Sequence, residues 1–589
     1  MIPPNKNDTT QAIKRVRLFY SGLILLITIF GLRLFYLQII HYSYYRAAAL
    51  SDQLKQYEIQ ATRGTILAHD GSSELPIVLN QQLYVLYADP TYVKHPEPAA
   101  EKLSSIVGVP SDKLTELIKT KKTRYVVLAK KLTPEQHNKI AALKLPGIGT
   151  QAQNYRTYPQ GSLAAQVLGF VNDEGKGKYG VEQALNKQLT GTAGQLKAIT
   201  DASGVPLAAS KDNTLTPPKN GQKIVLTVDL AMQQQLEMIL AEGIKNAKAA
   251  SGSAIIMDTH TGAIKAMSNV PTFDPSQYFN VTDPTVFQNA AVAHPIEVGS
   301  TMKTLTTAAA LDQDVVNTNT TYYDPSSWKI DDFKITNIEE DGGAGTRSIQ
   351  DILNLSLNTG ATWELMQMGG GQINLKARQS WYSYLNDHYM FGHETGIEQG
   401  YEATGYLPKP AENGAGINLT YANTAFGQAM TATPVQLAAA LSAVVNGGTY
   451  YQPHLVDKTV ASDGQVIPAG DKIVKKQVVS PKTSQAMIPL MQYVVDHHNF
   501  VPTFDQGNYV VGGKTGTAQI AKKGGGYYDD QFNGTYVGFV GGEKPDYVIS
   551  VFVLKPTIKG YAGTAAAQPI FGNLAHMLIN NSFVIPKSQ

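Results

Sequence analysis

The sequence predicts an α/β protein of the α+β kind, carried on a single N-terminal membrane helix. Three observations lead there. An apolar run near the N-terminus is long enough to cross a bilayer. Two pairs of strand-like segments, far apart in the chain, have apolar residues on both faces. Helix-like stretches separate those pairs. Strands buried on both sides need cover on both sides, so the C-terminal part is expected to hold an antiparallel sheet sandwiched by helices.

The membrane helix spans Leu18 to Ile40, 23 residues interrupted only by Ser21, Thr28, Arg33 and Gln38, where about 20 residues suffice. Lys6, Lys14, Arg15 and Arg17 crowd its N-terminal side, while Arg46 and Lys55 follow it. The positive-inside rule then leaves residues 1–17 in the cytoplasm and everything after about residue 41 outside. Arg33 stands near the outer end, where its side chain can snorkel to the headgroups. Ala47-Ala48-Ala49 resembles a signal-peptidase site, but the apolar core is long and Tyr42, Tyr44, Tyr45 and Arg46 precede the alanines. An uncleaved signal anchor is therefore expected. The three tyrosines read as an interfacial belt.

The 589 residues are enough for two or three modules. Apolar residues at 43% and charged residues at 16% describe a folded protein. A net charge of +2 gives no sign of a nucleic-acid partner, and the lack of cysteine excludes disulfides and thiolate metal sites. Residues 41–215 alternate short strands, at 84–90 and 125–132, with polar helical stretches and contain no catalytic constellation. They are expected to form a non-catalytic pedestal. The polar segment 211–222, with Pro217-Pro218, has the composition of a boundary, so a second α/β domain is expected over 216–589. Within it, residues 253–267 form a hairpin around Asp258 to Gly262, and 535–542 pair with 546–556 across Glu543-Lys544-Pro545. The short remainder leads to the expectation that no further C-terminal repeat domain follows.

Three motifs in fixed order carry the chemistry. Gly299-Ser300-Thr301-Met302-Lys303 opens an alanine-rich helical stretch, so Ser300 stands at a helix start and Lys303 one turn along on the same face. A serine hydroxyl is a weak nucleophile until a base sits beside it, and a buried lysine can be that base. Ser-x-x-Lys is weak alone: a second copy, Ser326 to Lys329, follows Asp-Pro and precedes a polar, strand-like stretch, which reads as a surface turn. Ser356-Leu357-Asn358 interrupts two helical stretches; taken alone it would be a cap or a turn. Lys514-Thr515-Gly516-Thr517 lies in an apolar, β-branched strand with Gly512, Gly513 and Gly516, which weaken a strand unless something must approach its backbone closely. A peptide adding to a sheet edge would do so.

Together the three motifs resemble the set that marks penicillin-binding proteins and active-site-serine β-lactamases. Beyond them, 33–40, 61–66, 158–191, 391–397, 433–448 and 513–519 resemble the class B penicillin-binding proteins, monofunctional cell-wall transpeptidases, over nearly the whole chain. The resemblance implies that Ser300 is acylated by stem peptides ending in D-Ala-D-Ala and by β-lactams. It implies that Ser356 relays a proton between Lys303 and the leaving group and that Asn358 bonds the substrate backbone. Lys514 and Thr515, with Gly516 and Thr517, would hold the substrate and its carboxylate, and the backbone N–H groups of Ser300 and Thr517 would form the oxyanion hole. It also implies a polytopic SEDS-type glycan polymerase and other division proteins as partners, and no cofactor or metal. Val298, Ala290 and Ala68-His69 depart from the family's common residues without removing a catalytic group.

A class A β-lactamase would need a deacylating glutamate in an E-x-x-x-N pattern; Glu364, Glu394, Glu398, Glu402 and Glu412 all lack the asparagine. No glycosyltransferase motif precedes the hinge. The form of the third motif, the length and the compact pedestal favour septal synthesis, with lateral-wall elongation, a β-lactamase or β-lactam sensor, and an inactive division scaffold as the alternatives. Asp496-His497-His498 reads as surface rather than metal site, because adjacent histidines point apart. Glu339-Glu340-Asp341 reads as a solvated loop.

Overall fold

Alternation at period two decides which side of the central sheet each residue covers. The computed structural model describes residues 6–199, 213–337, 342–411, 413–522 and 524–587, so the acidic run 339–341, Glu412 and positions 211–212 lie outside the described residues. The described chain divides into two compact units, Met1–Ala61 with Gly191–Asn220, and Thr62–Thr190 with Gly221–Gln589.

In the first unit a helix runs from Lys6 to Phe35 and continues as a π-helical turn, Tyr36–Ile40. Its apolar window, Ile13–Ile40, is wholly unburied, the condition of a helix whose solvent is lipid. The helix starts well before Leu18 because no proline or glycine breaks residues 6–21. Thr28 Oγ1 donates to the Ile24 carbonyl at 2.8 Å, which satisfies its hydroxyl inside the span. Arg33 lies over the Tyr36 ring, 5.6 Å from its centroid. Ala47, Ala48 and Ala49 fall within a second helix, Tyr42–Gln53. Strand Leu54–Ile59 then pairs antiparallel with Gly194–Ile199, which pairs with Thr214–Thr216.

The second unit contains the expected antiparallel sheet, five strands in the order Ile264–Val270, Ser251–Asp258, Pro545–Leu554, Tyr527–Gly541 and Val510–Ala521. Ile255, Met257, Val537, Phe539, Val548 and Phe552 pack on one face beneath helices Met302–Asp312 and Pro434–Val445. Ala254, Ile256, Tyr536, Val540, Ile549 and Val551 pack on the other beneath Leu230–Asn246 and Gln568–Asn580. Each such aliphatic or aromatic side chain, fully buried, contributes roughly 1.5–3 kcal/mol. The covering helices have local start signals: Asp229 accepts from the Met232 N–H, and Thr433 with Gln436 forms a capping box ahead of Pro434.

A second sheet crosses the boundary expected at 215/216. Lys223–Asp229 pairs in parallel with Ile66–Asp70 and antiparallel with Val456–Val460, while Ser73–Ala88 continues the sheet from Ile66–Asp70. Pedestal and catalytic segments thus share a hydrogen-bonded sheet. Beside it lies a buried ionic group: fully buried Glu182 takes Arg63 on Oε2 and Arg156 on Oε1. Arg63 also donates to Asn186 and Thr190, and Arg156 to Asn80.

Candidate active site

Ser300 lies in a 3-10 turn, Gly299–Thr301, that runs into helix Met302–Asp312. The turn is wedged against the edge strand of the five-stranded sheet. Gly299 has φ +62°, and a Cβ there would stand 2.8 Å from the Thr517 carbonyl oxygen; only glycine meets both demands. Across the contact, a Cβ on Gly516 would stand 2.2 Å from Thr535 Oγ1 and 2.5 Å from the Val298 carbonyl. The third motif's glycine therefore lets its strand touch the turn that carries Ser300. Gly516→Ala is expected to push the strand off and cut the acylation of Ser300 that the resemblance implies on the order of 10²-fold, the scale of a 1 Å misplacement. Time-resolved labelling with a fluorescent penicillin measures it.

Lys303 is fully buried. Its Nζ donates to Ser300 Oγ at 2.8 Å, to the Ser356 carbonyl at 2.6 Å and to Ser356 Oγ at 3.2 Å. Ser356 can offer both oxygens because it has left the helix Ile349–Asn354 and sits at φ +56°, a left-handed conformation that a non-glycine residue rarely adopts. The next helix begins at Asn358. Asn358 Nδ2 donates to the Thr336 carbonyl at 2.9 Å, so one amide hydrogen of this residue is held by the hairpin Ser327–Ile330/Phe333–Thr336.

That hairpin carries the second Ser-x-x-Lys copy. The sequence reads it as a surface turn; instead it packs on the second motif, with Trp328 Nε1 donating to the Thr359 carbonyl at 3.0 Å and Asn337 Nδ2 to Thr359 Oγ1 at 3.1 Å. Lys329 lies on a strand, where residues three apart face opposite sides, so it is not aligned with Ser326 as Lys303 is with Ser300.

Lys514 is fully buried and its Nζ donates to the carbonyl and hydroxyl of Thr515, both at 3.2 Å. Val510–Ala521 is the last strand of its sheet, which leaves its outer edge for an extended peptide. Thr517 Oγ1 accepts from the Gly563 N–H at 3.0 Å, tying this strand to the segment before helix Gln568–Asn580. Ser300, Lys303 and Ser356 are thus hydrogen-bonded together, Thr517 abuts Gly299, and Asn358 stands two residues after Ser356, across Leu357. His497 and His498 are taken up by the carbonyls of Tyr493 and Asn354.

Sequence reasoning missed Glu297, and weighed Glu364 only as a deacylating residue without its place beside the motifs. Glu297, three residues before Ser300, accepts from Tyr527 OH at 2.8 Å and the Ala429 N–H at 2.9 Å, and burial pushes its carboxyl up. Gly299 N–H donates to the Gly427 carbonyl at 3.0 Å, so the 427–429 loop braces the Ser300 turn twice. Glu364, wholly buried, sits between the two helices that bear Lys303 and Asn358. The only signal for it is a single acid in an otherwise uncharged helix, Asn358–Met368.

A serine with a buried amine in contact, a second serine beyond it and a β edge alongside define an acyl-transfer site. Comparison with known proteins narrows this. Residues 252–576 match the penicillin binding protein transpeptidase domain, and 58–226 match the penicillin-binding protein dimerisation domain. Stage V sporulation protein D of Bacillus subtilis is 32% identical over 559 residues, covering 94% of this chain and 83% of that protein. The peptidoglycan D,D-transpeptidase FtsI homolog of Mesostigma viride is 27% identical, covering 97% and 95%. The crystal structure of penicillin binding protein 2X from Streptococcus thermophilus superposes with a TM-score of 0.71 at 23% identity, over 90% of this chain and 80% of that one. The chain belongs to the class B penicillin-binding proteins, serine enzymes with a transpeptidase domain behind a dimerisation domain.

Proposed function

We propose that this protein is a peptidoglycan D,D-transpeptidase that cross-links stem peptides through an acyl-enzyme on Ser300. The observation that carries this reading is the 2.8 Å contact between Lys303 Nζ and Ser300 Oγ, with both oxygens of Ser356 on the same amine. Lys303 as free amine takes the Ser300 proton while Oγ attacks the penultimate D-alanine carbonyl. The N–H groups of Ser300 and Thr517 hold the oxyanion. Ser356 passes the proton to the departing D-alanine nitrogen, and an amine of a neighbouring strand then attacks the ester, returning its proton through the same relay. Lys514, Thr515 and Gly516 seat the peptide and its terminal carboxylate, and Asn358 bonds its backbone. β-Lactams acylate the same serine.

The apolar helix anchors the chain once in the membrane. The basic residues before it favour a cytoplasmic N-terminus, segment 1–17, with the span at 18–40. The pedestal at 41–215 and the catalytic domain at 216–589 then work outside the membrane, at a SEDS-type polymerase that supplies glycan strands. Septal synthesis is favoured by the compact pedestal and the form of the third motif; a fluorescent fusion collecting at midcell supports it, and a lateral-wall signal assigns elongation instead.

The catalytic assignment is tested by labelling the full-length protein with fluorescent penicillin and mapping the adduct by peptide mass spectrometry. The adduct is expected on Ser300 and stable. An adduct on Ser326, or none on folded protein, rejects the assignment. Rapid release as penicilloate assigns a β-lactamase.

A further inference from the structure

Helix Asn358–Met368 carries one acidic residue, Glu364, and its side chain is wholly buried. Oε2 accepts a hydrogen bond from the Thr307 hydroxyl at 3.1 Å, while Oε1 is buried with no hydrogen-bond partner among the described residues. Thr307 stands one turn beyond Lys303 on helix Met302–Asp312, about 6 Å along the axis. The two helices that present the catalytic groups therefore meet at two successive levels: Lys303 with Ser356, then Thr307 with Glu364.

A buried carboxyl is costly to ionise unless a positive charge is close. Burial pushes Glu364 up to about 8, and the Thr307 hydrogen bond and the Lys303 charge pull the other way. The other titratable groups on the elements around it are engaged elsewhere or out at the surface. Tyr322, which burial and the neighbouring Asp324 and Glu364 carboxyls hold as the uncharged phenol, donates to Asp324, which also accepts from Thr359. Arg378 on helix Leu375–Ser383 donates to Asn418 and the Ala411 carbonyl, and Tyr421 on helix Ile417–Thr424 donates to the Pro408 carbonyl. Asp351 on helix Ile349–Asn354 is held by Ser348, and Lys334 on strand Phe333–Thr336 is exposed. Among the described residues, Lys303 is the charged group that acts on the Glu364 carboxyl.

We propose that Glu364 is a positioning residue for the acyl-transfer reaction: through the buried face shared by the two catalytic helices, it sets the protonation state in which Lys303 meets Ser300. This rests on the reading of Lys303 as the base toward Ser300. On this proposal the two groups share their protons. With one proton between them they exist either as ammonium and carboxylate or as amine and carboxylic acid, with zero net charge in both forms. Only the second form accepts the Ser300 proton. An uncharged carboxyl can be buried without a counter-charge, so Glu364 gives the site a state in which the amine is free and no lone charge is left inside.

The test is the pH dependence of the penicillin acylation rate in the full-length protein. In Glu364→Gln nothing negative favours the ammonium, so Lys303 loses its proton more readily and the acid limb is expected to move to lower pH by about one unit. On that limb, below the wild-type midpoint, the variant acylates faster. Thr307→Val removes the hydroxyl that favours the carboxylate, and is expected to move the limb in the same direction by less. Should Glu364→Gln show no melting transition, the Thr307→Val profile decides. A limb that coincides with wild type, or a rate lowered equally at every pH, is what a merely structural role gives and overturns the proposal. Failure of the wild type to label at Ser300 at any pH would instead remove the reading of Lys303 on which it rests.

Discussion

Replacing Lys303 with methionine is expected to slow acylation of Ser300 by penicillin about 10²–10⁴-fold, the range for loss of a positioned general base, while the protein still melts cooperatively. Methionine keeps most of the apolar stem of a side chain that is fully buried, so the packing between helices Met302–Asp312 and Asn358–Met368 is filled much as before. What disappears is the amine held 2.8 Å from Ser300 Oγ and 2.6 Å from the Ser356 carbonyl. Without it Ser300 has no base, and the left-handed Ser356 has lost the partner of its carbonyl. Removing a buried amine takes away a desolvation penalty, so stability is expected to hold or rise as activity falls. That opposite movement separates chemistry from packing. Ser356→Ala added to Lys303→Met is expected to cost little more, because groups that act as one relay are lost together. Acylation at the wild-type rate in the methionine variant would remove Lys303 from the role of base.

Much of this site was legible in the sequence because its signals are local. Helical spacing places Lys303 one turn from Ser300, and glycines in a β-branched run mark Gly516 as a point of close approach. Alternation in 253–267 and 535–556 fixes which residues face each helical layer, since a strand's two sides are set by parity. What failed to show depends on pairs far apart in the chain. The bond from Asn358 to the Thr336 carbonyl needs a hairpin that the sequence offers only as a polar stretch after Asp-Pro. Thr307 and Glu364 are separated by 57 residues, and neither carries a mark of the other. Strand Ser73–Ala88 is visible only in its C-terminal part, because Asn80, Gln81 and Gln82 interrupt its alternation. The parallel pairing of Lys223–Asp229 with Ile66–Asp70 has no local code, so a polar, proline-bearing segment looks like a divide where the chain in fact returns to the same sheet.

Glu182→Ala is expected to destabilise the unit that holds the catalytic sheet by about 3–5 kcal/mol, the cost of leaving buried charges without their partner. Glu182 has no exposed surface, and its two oxygens are divided between two guanidinium groups, Arg63 on Oε2 and Arg156 on Oε1. Those arginines come from different places: Arg63 precedes strand Ile66–Asp70, and Arg156 is the penultimate residue of strand Ile148–Thr157. Two of the segments that resemble the family without offering any chemistry, 61–66 with Arg63 and 158–191 with Tyr158 and Glu182, thus meet in one ionic cluster. Alanine leaves two cations without their anion, next to Tyr158, which burial already holds as phenol. Glu182→Gln keeps an acceptor for one arginine and is expected to cost less, because the deficit is charge as well as hydrogen bonds. Hydrogen exchange of the amides in Ile66–Asp70 and Ser73–Ala88 reads the effect where it falls, with alanine opening these strands more than glutamine. Because Lys223–Asp229 pairs directly with Ile66–Asp70 and is followed at once by helix Leu230–Asn246 on the back of the catalytic sheet, loss of protection should extend into that helix. Protection unchanged in both variants would mean the cluster is tolerated rather than required, and the sheet holds the pedestal segments in place by backbone pairing alone.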